Sequence, residues 1–298
     1  MEDNMQICKN KIDVHAHSIM SDFPDKVFMT YHSPEELLLK YDMLGIEKGM
    51  LLPSVSPEGS KFPITTDHTV EIVNKYPERY FFAIGLDPRM VDNSSDADFG
   101  KILEFYKSKG AKAVGEMTAN LNFDDPLYDN MLAQCAEHDL PVTIHISPAI
   151  GYSYGVVDDP GLPRLEKMLK KYPKLKIFGH SQAFWAHMSK NVDREIMKGY
   201  PKGKVEKGRL WELFEKYDNI FGDMSAGSGY NAIARDEENG IDFLNAFQDK
   251  MLFGCDFCAV TDVRELAGWL DNKYLEGALS EDVYLKICRE NAIRILKL

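Results

Sequence analysis

The sequence predicts a (β/α)8 barrel, and three observations carry that expectation. Apolar runs of strand length alternate with amphipathic segments along the chain, giving about eight strand-helix units at a repeat of roughly thirty to forty-five residues. Parallel strands need crossover helices, so this alternation implies one parallel sheet, and eight units in 298 residues match the count and length of a closed barrel. A doubly wound open sheet uses the same units, but no G-x-G-x-x-G turn follows the first strand. No internal boundary interrupts the pattern, so residues 1–298 read as one domain.

The first strand is Lys11-Ile12-Asp13-Val14-His15-Ala16-His17, where period-two alternation puts Asp13, His15 and His17 on one side and Ile12, Val14 and Ala16 on the other. Ser33-Pro34-Glu35-Glu36 then reads as a capping box with proline at the first helical position, Leu37, Leu38, Tyr41 and Leu44 recur at helical spacing, and Gly45 ends the helix. Strands at 49–52 and 80–84 flank a helix at 67–76. Further strand-like runs lie at 111–114, 142–146, 175–178, 220–221 and 251–253, separated by amphipathic segments at 127–137, 165–172, 210–217 and 243–248. A helical segment at 280–298 closes the chain.

The net charge of -12 argues against nucleic-acid or anionic-membrane partners, which demand basic faces. The first ten residues lack a basic start followed by an apolar run, and no apolar stretch approaches about 18 residues, so a cytoplasmic protein is expected. Cys8, Cys135, Cys255, Cys258 and Cys288 are odd in number and scattered, which fits reduced thiols rather than a disulfide framework. Cys255 and Cys258 form one isolated C-x-x-C.

Two imidazoles two residues apart on a strand, His15 and His17, can grip one metal ion. If they do so in a barrel, other ligand types should stand at the C-terminal ends of other strands, where such folds build their active sites. Glu116 follows the fourth apolar run, His145 closes the fifth, His180 follows the sixth and Asp256 the eighth. Each has an ordinary account alone: a hydrogen-bonded core histidine, a paired carboxylate, a helix cap. Together they are costly to bury without a cation, and a shared metal removes that cost. His32, His68, His138 and His187 fall in loops or helices and read as solvated surface residues.

The motifs Ile12 to His17, Val142 to His145, Tyr172 to His180, Phe253-Gly254-Cys255-Asp256 and Asn291 to Leu296 resemble the amidohydrolase superfamily. They resemble in particular its amidohydrolase-related branch, which includes aminocarboxymuconate-semialdehyde decarboxylase, related decarboxylases, lactonases and hydratases. The resemblance spans nearly the whole chain. It implies a distorted TIM barrel with one or two divalent metals at the mouth, Zn2+ foremost and Mn2+ as an alternative. His15, His17 and His145 would then be ligands, Asp256 a ligand that also acts as general base, and His180 a ligand or the group polarising the substrate. Glu116 stands where two-metal members of the superfamily place a bridging lysine, which leaves the number of ions open. Cys255 replaces the small polar residue expected before the aspartate.

The resulting expectation is a metal-dependent hydrolase that cleaves a small amide, lactone or related bond with a metal-activated water and Asp256 as base. A non-oxidative decarboxylase or hydratase of a small carboxylate is the alternative, and a non-catalytic barrel binding protein the second. Arg89, just after the third strand, is the cation best placed to meet a substrate carboxylate, ahead of Arg164 and Arg235. Tyr152, Tyr154, Phe184, Trp185, Met224 and Tyr230 lie in segments that would wall the pocket, with Tyr152 and Trp185 as the substrate-binding candidates. The expected partner is a small-molecule substrate, and a homo-oligomer stays open.

Overall fold

The computed structural model describes residues 10–20, 31–60 and 62–298; Cys8 lies outside the described residues. Eight strands form the expected ring: β1 (Lys11–Ala16), β2 (Ile46–Leu51), β3 (Tyr80–Ile84), β4 (Ala113–Met117), β5 (Val142–Ser147), β6 (Ile177–His180), β7 (Ile220–Asp223) and β8 (Met251–Leu252). Each pairs with the next in parallel. The chain beyond β8 closes the ring onto β1: Val14 N donates to Phe253 O at 3.1 Å, His17 N to Phe257 O at 3.1 Å, and Asp256 N to His15 O at 2.7 Å. A two-residue segment, Val156–Val157, pairs with the end of β5 outside this path.

The helices form for the reasons the sequence offers. α1 (Pro34–Leu44) starts on the Ser33 capping box with both reciprocal bonds made, and ends on Gly45 at φ 68°. Helix α2 (Thr66–Lys75) is capped by the Thr65 hydroxyl. After α3 (Gly100–Ser108), helix α4 (Pro126–Glu137) is capped by Asp125, and α5 (Pro163–Lys171) also opens on proline. The segment expected at 243–248 belongs to a longer helix, Glu237–Ala246, whose polar first turn hides its start from an apolar count. Strands β4, β6 and β7 run on past their apolar residues to end on Glu116 and Met117, His180, and Asp223. The backbone ladder continues there whatever the side-chain polarity, which carries those polar groups into the mouth.

The ring interior is packed, as small barrels require. Ile12, Val14, Met50, Phe81, Phe178 and Phe221 fill it, and Ala292, Ile295 and Leu296 of the last helix join the same cluster. Asn291 anchors that helix by donating to Gln248 O at 2.7 Å and Met251 O at 2.9 Å.

β1 departs from simple alternation. Asp13 pairs with Gly49 and Ala16 with Leu51, so three steps on β1 face two on β2. This extra residue is a bulge, which re-aims side chains at a barrel rim. Ile12 and Val14 accordingly lie in the inner cluster, whereas Ala16 lies in the outer one. Asp13 does not share a site with the histidines: its Oδ1 accepts from the backbone N–H of His15 and of Cys255, both at 2.9 Å, and its Oδ2 from the Tyr41 hydroxyl of α1 at 2.8 Å. A Cβ on Gly49 would come within 2.0 Å of that hydroxyl, so glycine is required where α1 crosses β2. Asp13 thus pins the β8–β1 seam to α1.

Candidate metal centre

Five side chains from four parts of the barrel converge at the C-terminal mouth. His15, His17 and Asp256 offer donor atoms within 4.8 Å of one another, and so do His15, Glu116 and His180. Their orientation comes from the groups behind them. His17 Nδ1 lies 2.9 Å from Leu52 O, so it donates and presents an Nε2 lone pair inward. His15 Nδ1 lies 2.6 Å from Asp223 Oδ2, and His180 Nδ1 lies 3.0 Å from Ser225 Oγ. Inside the ring, Asp256 Oδ1 lies 3.6 Å from the Nε2 atoms of both His15 and His17, and Asp256 Oδ2 lies 3.7 Å from His180 Nε2.

Glu116 sits between the groups. One oxygen is 3.8 Å from Nε2 of both His15 and His17; the other is 3.9 Å from His180 Nε2 and accepts from His145 Nδ1 at 2.7 Å. His145 thus meets the centre at Glu116 through Nδ1, the nitrogen a bound ion would take over, and its ring lies against Tyr154 with centroids 4.4 Å apart. Gly115 precedes Glu116 at φ 130°, and a Cβ there would meet Thr143 O at 2.7 Å, so only glycine lets β4 lie this close to β5.

The site is electrically unbalanced as a set of protein groups. Burial opposes protonation of His15, but the carboxylates of Asp223, Asp256 and Glu116 outweigh it and push its pKa up to about 10. Burial, then the charge on His15, lowers His17 and takes His180 down to about 4. Burial also opposes ionisation of Glu116, yet the hydrogen bond and charge of His145 hold it below the usual carboxylate range. His15 Nε2 is buried without a hydrogen-bond partner among the described residues. An orphaned imidazole nitrogen facing two carboxylates and two further Nε2 atoms is what a divalent cation would satisfy. The residues present therefore fit a metal.

Three expected contacts are corrected. Arg89 is engaged in bidentate pairs with Asp87 and Glu58, which consume its guanidinium. Trp185 is buried, and its Nε1–H donates to Asp223 O at 2.9 Å, so it packs beneath the site instead of walling it. Tyr152 is 47% exposed with Lys198 over its ring, while its neighbour Tyr154 covers His145. His32 and His187, expected in solvent, are buried; His187 is held between Ala183 O and the Gly161 N–H.

The residue that sequence reasoning missed is Asp223. Its signal was present: Ile177-Phe178-Gly179-His180 and Ile220-Phe221-Gly222-Asp223 share one pattern, two apolar residues and a glycine before a polar group, and Gly179 pairs with Gly222.

These features agree with the comparisons. The amidohydrolase family model matches residues 12–298, and the chain belongs to that family, whose members are metal-dependent enzymes. No curated protein matches the sequence. Similar solved structures include a 2,6-dihydroxybenzoate decarboxylase from Rhizobium, with 18% identity, a TM-score of 0.60 and coverage of 97% of this chain and 98% of that one. A dihydroxybenzoic acid decarboxylase from Polaromonas with bound manganese and 2-nitroresorcinol shares 17% identity at a TM-score of 0.60, with 97% of each chain covered. A probable 2-pyrone-4,6-dicarboxylic acid hydrolase from Acinetobacter baumannii shares 12% identity at 0.59, covering 97% of this chain and all of the other. They show the TIM-barrel fold. Among the described residues no helix is long and apolar enough to cross a membrane.

Proposed function

We propose that this single-domain barrel is a hydrolase of a small organic substrate, a lactone, amide or related bond, with two divalent ions, Zn2+ or Mn2+, at its mouth. The observation that carries this reading is the placement of Glu116, whose two oxygens face different imidazole sets. His15, His17 and Asp256 would hold one ion and His145 and His180 the other, with Glu116 shared. Ions held there would supply Lewis acidity and make a water molecule acidic enough to attack at neutral pH.

The chain's own groups supply the rest. Asp256 is the group of the set most open to solvent, with its side chain 19% exposed, so it faces the side from which substrate arrives. It takes the proton of the attacking water and returns it to the leaving group. Cys258 Sγ–H donates to Asp256 Oδ1 at 3.2 Å and fixes that carboxylate. Tyr154 covers His145 and gives the entrance an aromatic wall suited to a planar or apolar substrate part. Free thiols at Cys135, Cys255 and Cys258 fit the cytoplasm as the compartment.

Non-oxidative decarboxylation is the second reading, favoured by the dihydroxybenzoate decarboxylases whose fold this chain shares. Product analysis on lactones, amides and hydroxybenzoates separates the two: hydrolysed product without CO2 supports the first, and CO2 release from the aromatic acids replaces it with the second. Asp256→Asn should retain much of the metal and lose at least about 100-fold in kcat, the scale of a lost general base. Unchanged turnover would defeat the assignment.

A further inference from the structure

We infer that Asp223, with Ser225, is a positioning pair that sets the tautomers of two adjacent imidazoles of the metal centre, His15 and His180, whose ring centroids lie 4.5 Å apart. The inference rests on the two-ion reading above and goes beyond it by assigning a residue outside the ligand set. Asp223 ends β7, and its carboxylate is fully buried. Its Oδ2 is 2.6 Å from His15 Nδ1 and 3.6 Å from His180 Nδ1, while its Oδ1 accepts from Ser225 N–H at 3.0 Å. Ser225 Oγ completes the arrangement at 3.0 Å from His180 Nδ1.

The chemistry of these atoms decides which nitrogens face the metal. A carboxylate 2.6 Å from His15 Nδ1 requires hydrogen on that nitrogen, so it is the inward Nε2 whose lone pair a bound ion would take in place of a proton. At His180 the hydroxyl can donate or accept, and the nearby carboxylate charge favours hydrogen on Nδ1, so Ser225 Oγ accepts. His180 thereby presents an Nε2 lone pair as well. It serves as a ligand and not as a proton donor to substrate.

The surrounding backbone is shaped to hold this arrangement. A Cβ on Gly254 would lie 2.9 Å from Asp223 Oδ1, 2.9 Å from Ser225 Cβ and 3.4 Å from His15 Cβ. The Trp185 Nε1–H bond to Asp223 O fixes the end of β7 from the other side. Asp223 is thus locked by groups that have no ligand role themselves.

The test uses the full chain, with Zn2+ affinity read by chelator competition for wild type, Asp223→Asn and Ser225→Ala. Asp223→Asn should weaken both Zn2+ sites by about 10- to 100-fold, the cost of losing a carboxylate behind a metal-bound imidazole. Ser225→Ala should weaken only the site that His180 serves. A wild type that takes up Zn2+ and an Asp223→Asn protein that takes it up equally well would overturn this inference and leave the two-ion reading standing; a wild type that binds none would overturn both. Should Asp223→Asn not fold, imidazole 15N shifts of the Zn2+-loaded wild type decide. Protonated Nδ1 with metal-bound Nε2 at both His15 and His180 supports the inference, and the reverse tautomer at either overturns it.

Discussion

Asp13→Ala removes the acceptor of three donors at once: the N–H groups of His15 and Cys255 and the Tyr41 hydroxyl. Each buried donor left unpaired costs about 1–3 kcal/mol, which sums to about 3–9 kcal/mol before relaxation. Water reaching the β8–β1 seam recovers part of this, so the expected loss is about 3–5 kcal/mol. Asp13→Asn keeps the Oδ1 acceptor and its two backbone bonds, and its amide still faces a hydroxyl that can turn to accept. It should cost under about 1.5 kcal/mol. The two variants also differ in pH dependence. Burial pushes the Asp13 pKa from 3.8 up to about 7, so between those values the native state keeps a proton that the unfolded state has lost. Its contribution is therefore fully present below about 3.8 and is lost as pH rises through about 7, a slope that Asp13→Asn removes. Urea unfolding of wild type and both variants at pH 5 and pH 8, read by far-UV circular dichroism, supplies the comparison. A loss below about 1 kcal/mol for Asp13→Ala, or equal losses for the two variants, would refute the account of the seam.

Glu116→Gln preserves shape but removes the charge between the imidazole sets, so Zn2+ affinity should fall by at least about 100-fold while stability in excess chelator stays within about 1 kcal/mol of wild type; unaltered affinity in a competition titration would contradict the shared role. His187 is lowered by burial from 6.5 to about 4, so the unfolded state gains a proton first as pH falls. Its contribution is present above about 6.5 and is lost as pH falls through about 4, and urea midpoints at pH 7 and pH 4.5 should converge in His187→Gln. An unchanged slope in that variant would exclude His187 as the cause.

The barrel was legible because its signal is periodic: apolar runs, proline and serine starts, and Gly45 each act locally, and the local and global demands agree. The ligand types at strand ends were legible for the same reason, since the fold puts those ends in one place. What the sequence hid depends on contacts between distant positions. Asp13, between the inward Ile12 and Val14, points out to Tyr41, and the β1 bulge that follows it separates it from His15 and His17, although simple alternation groups all three. Arg89 reads as a free cation until Glu58 folds beside it. Trp185 reads as pocket wall until its indole is found under β7. Asp223 was hidden differently, because an acidic residue after a short apolar run looks like a turn until His15 appears 2.6 Å away.

Metal content tests the central claim most directly. Purified protein incubated with Zn2+ or Mn2+ and freed of excess should retain about two equivalents by elemental analysis, and the His15→Ala/His17→Ala double variant should lose at least one of them. Less than about a tenth of an equivalent in the wild type, with none taken up on addition, would contradict the account and return the barrel to a non-catalytic binding role.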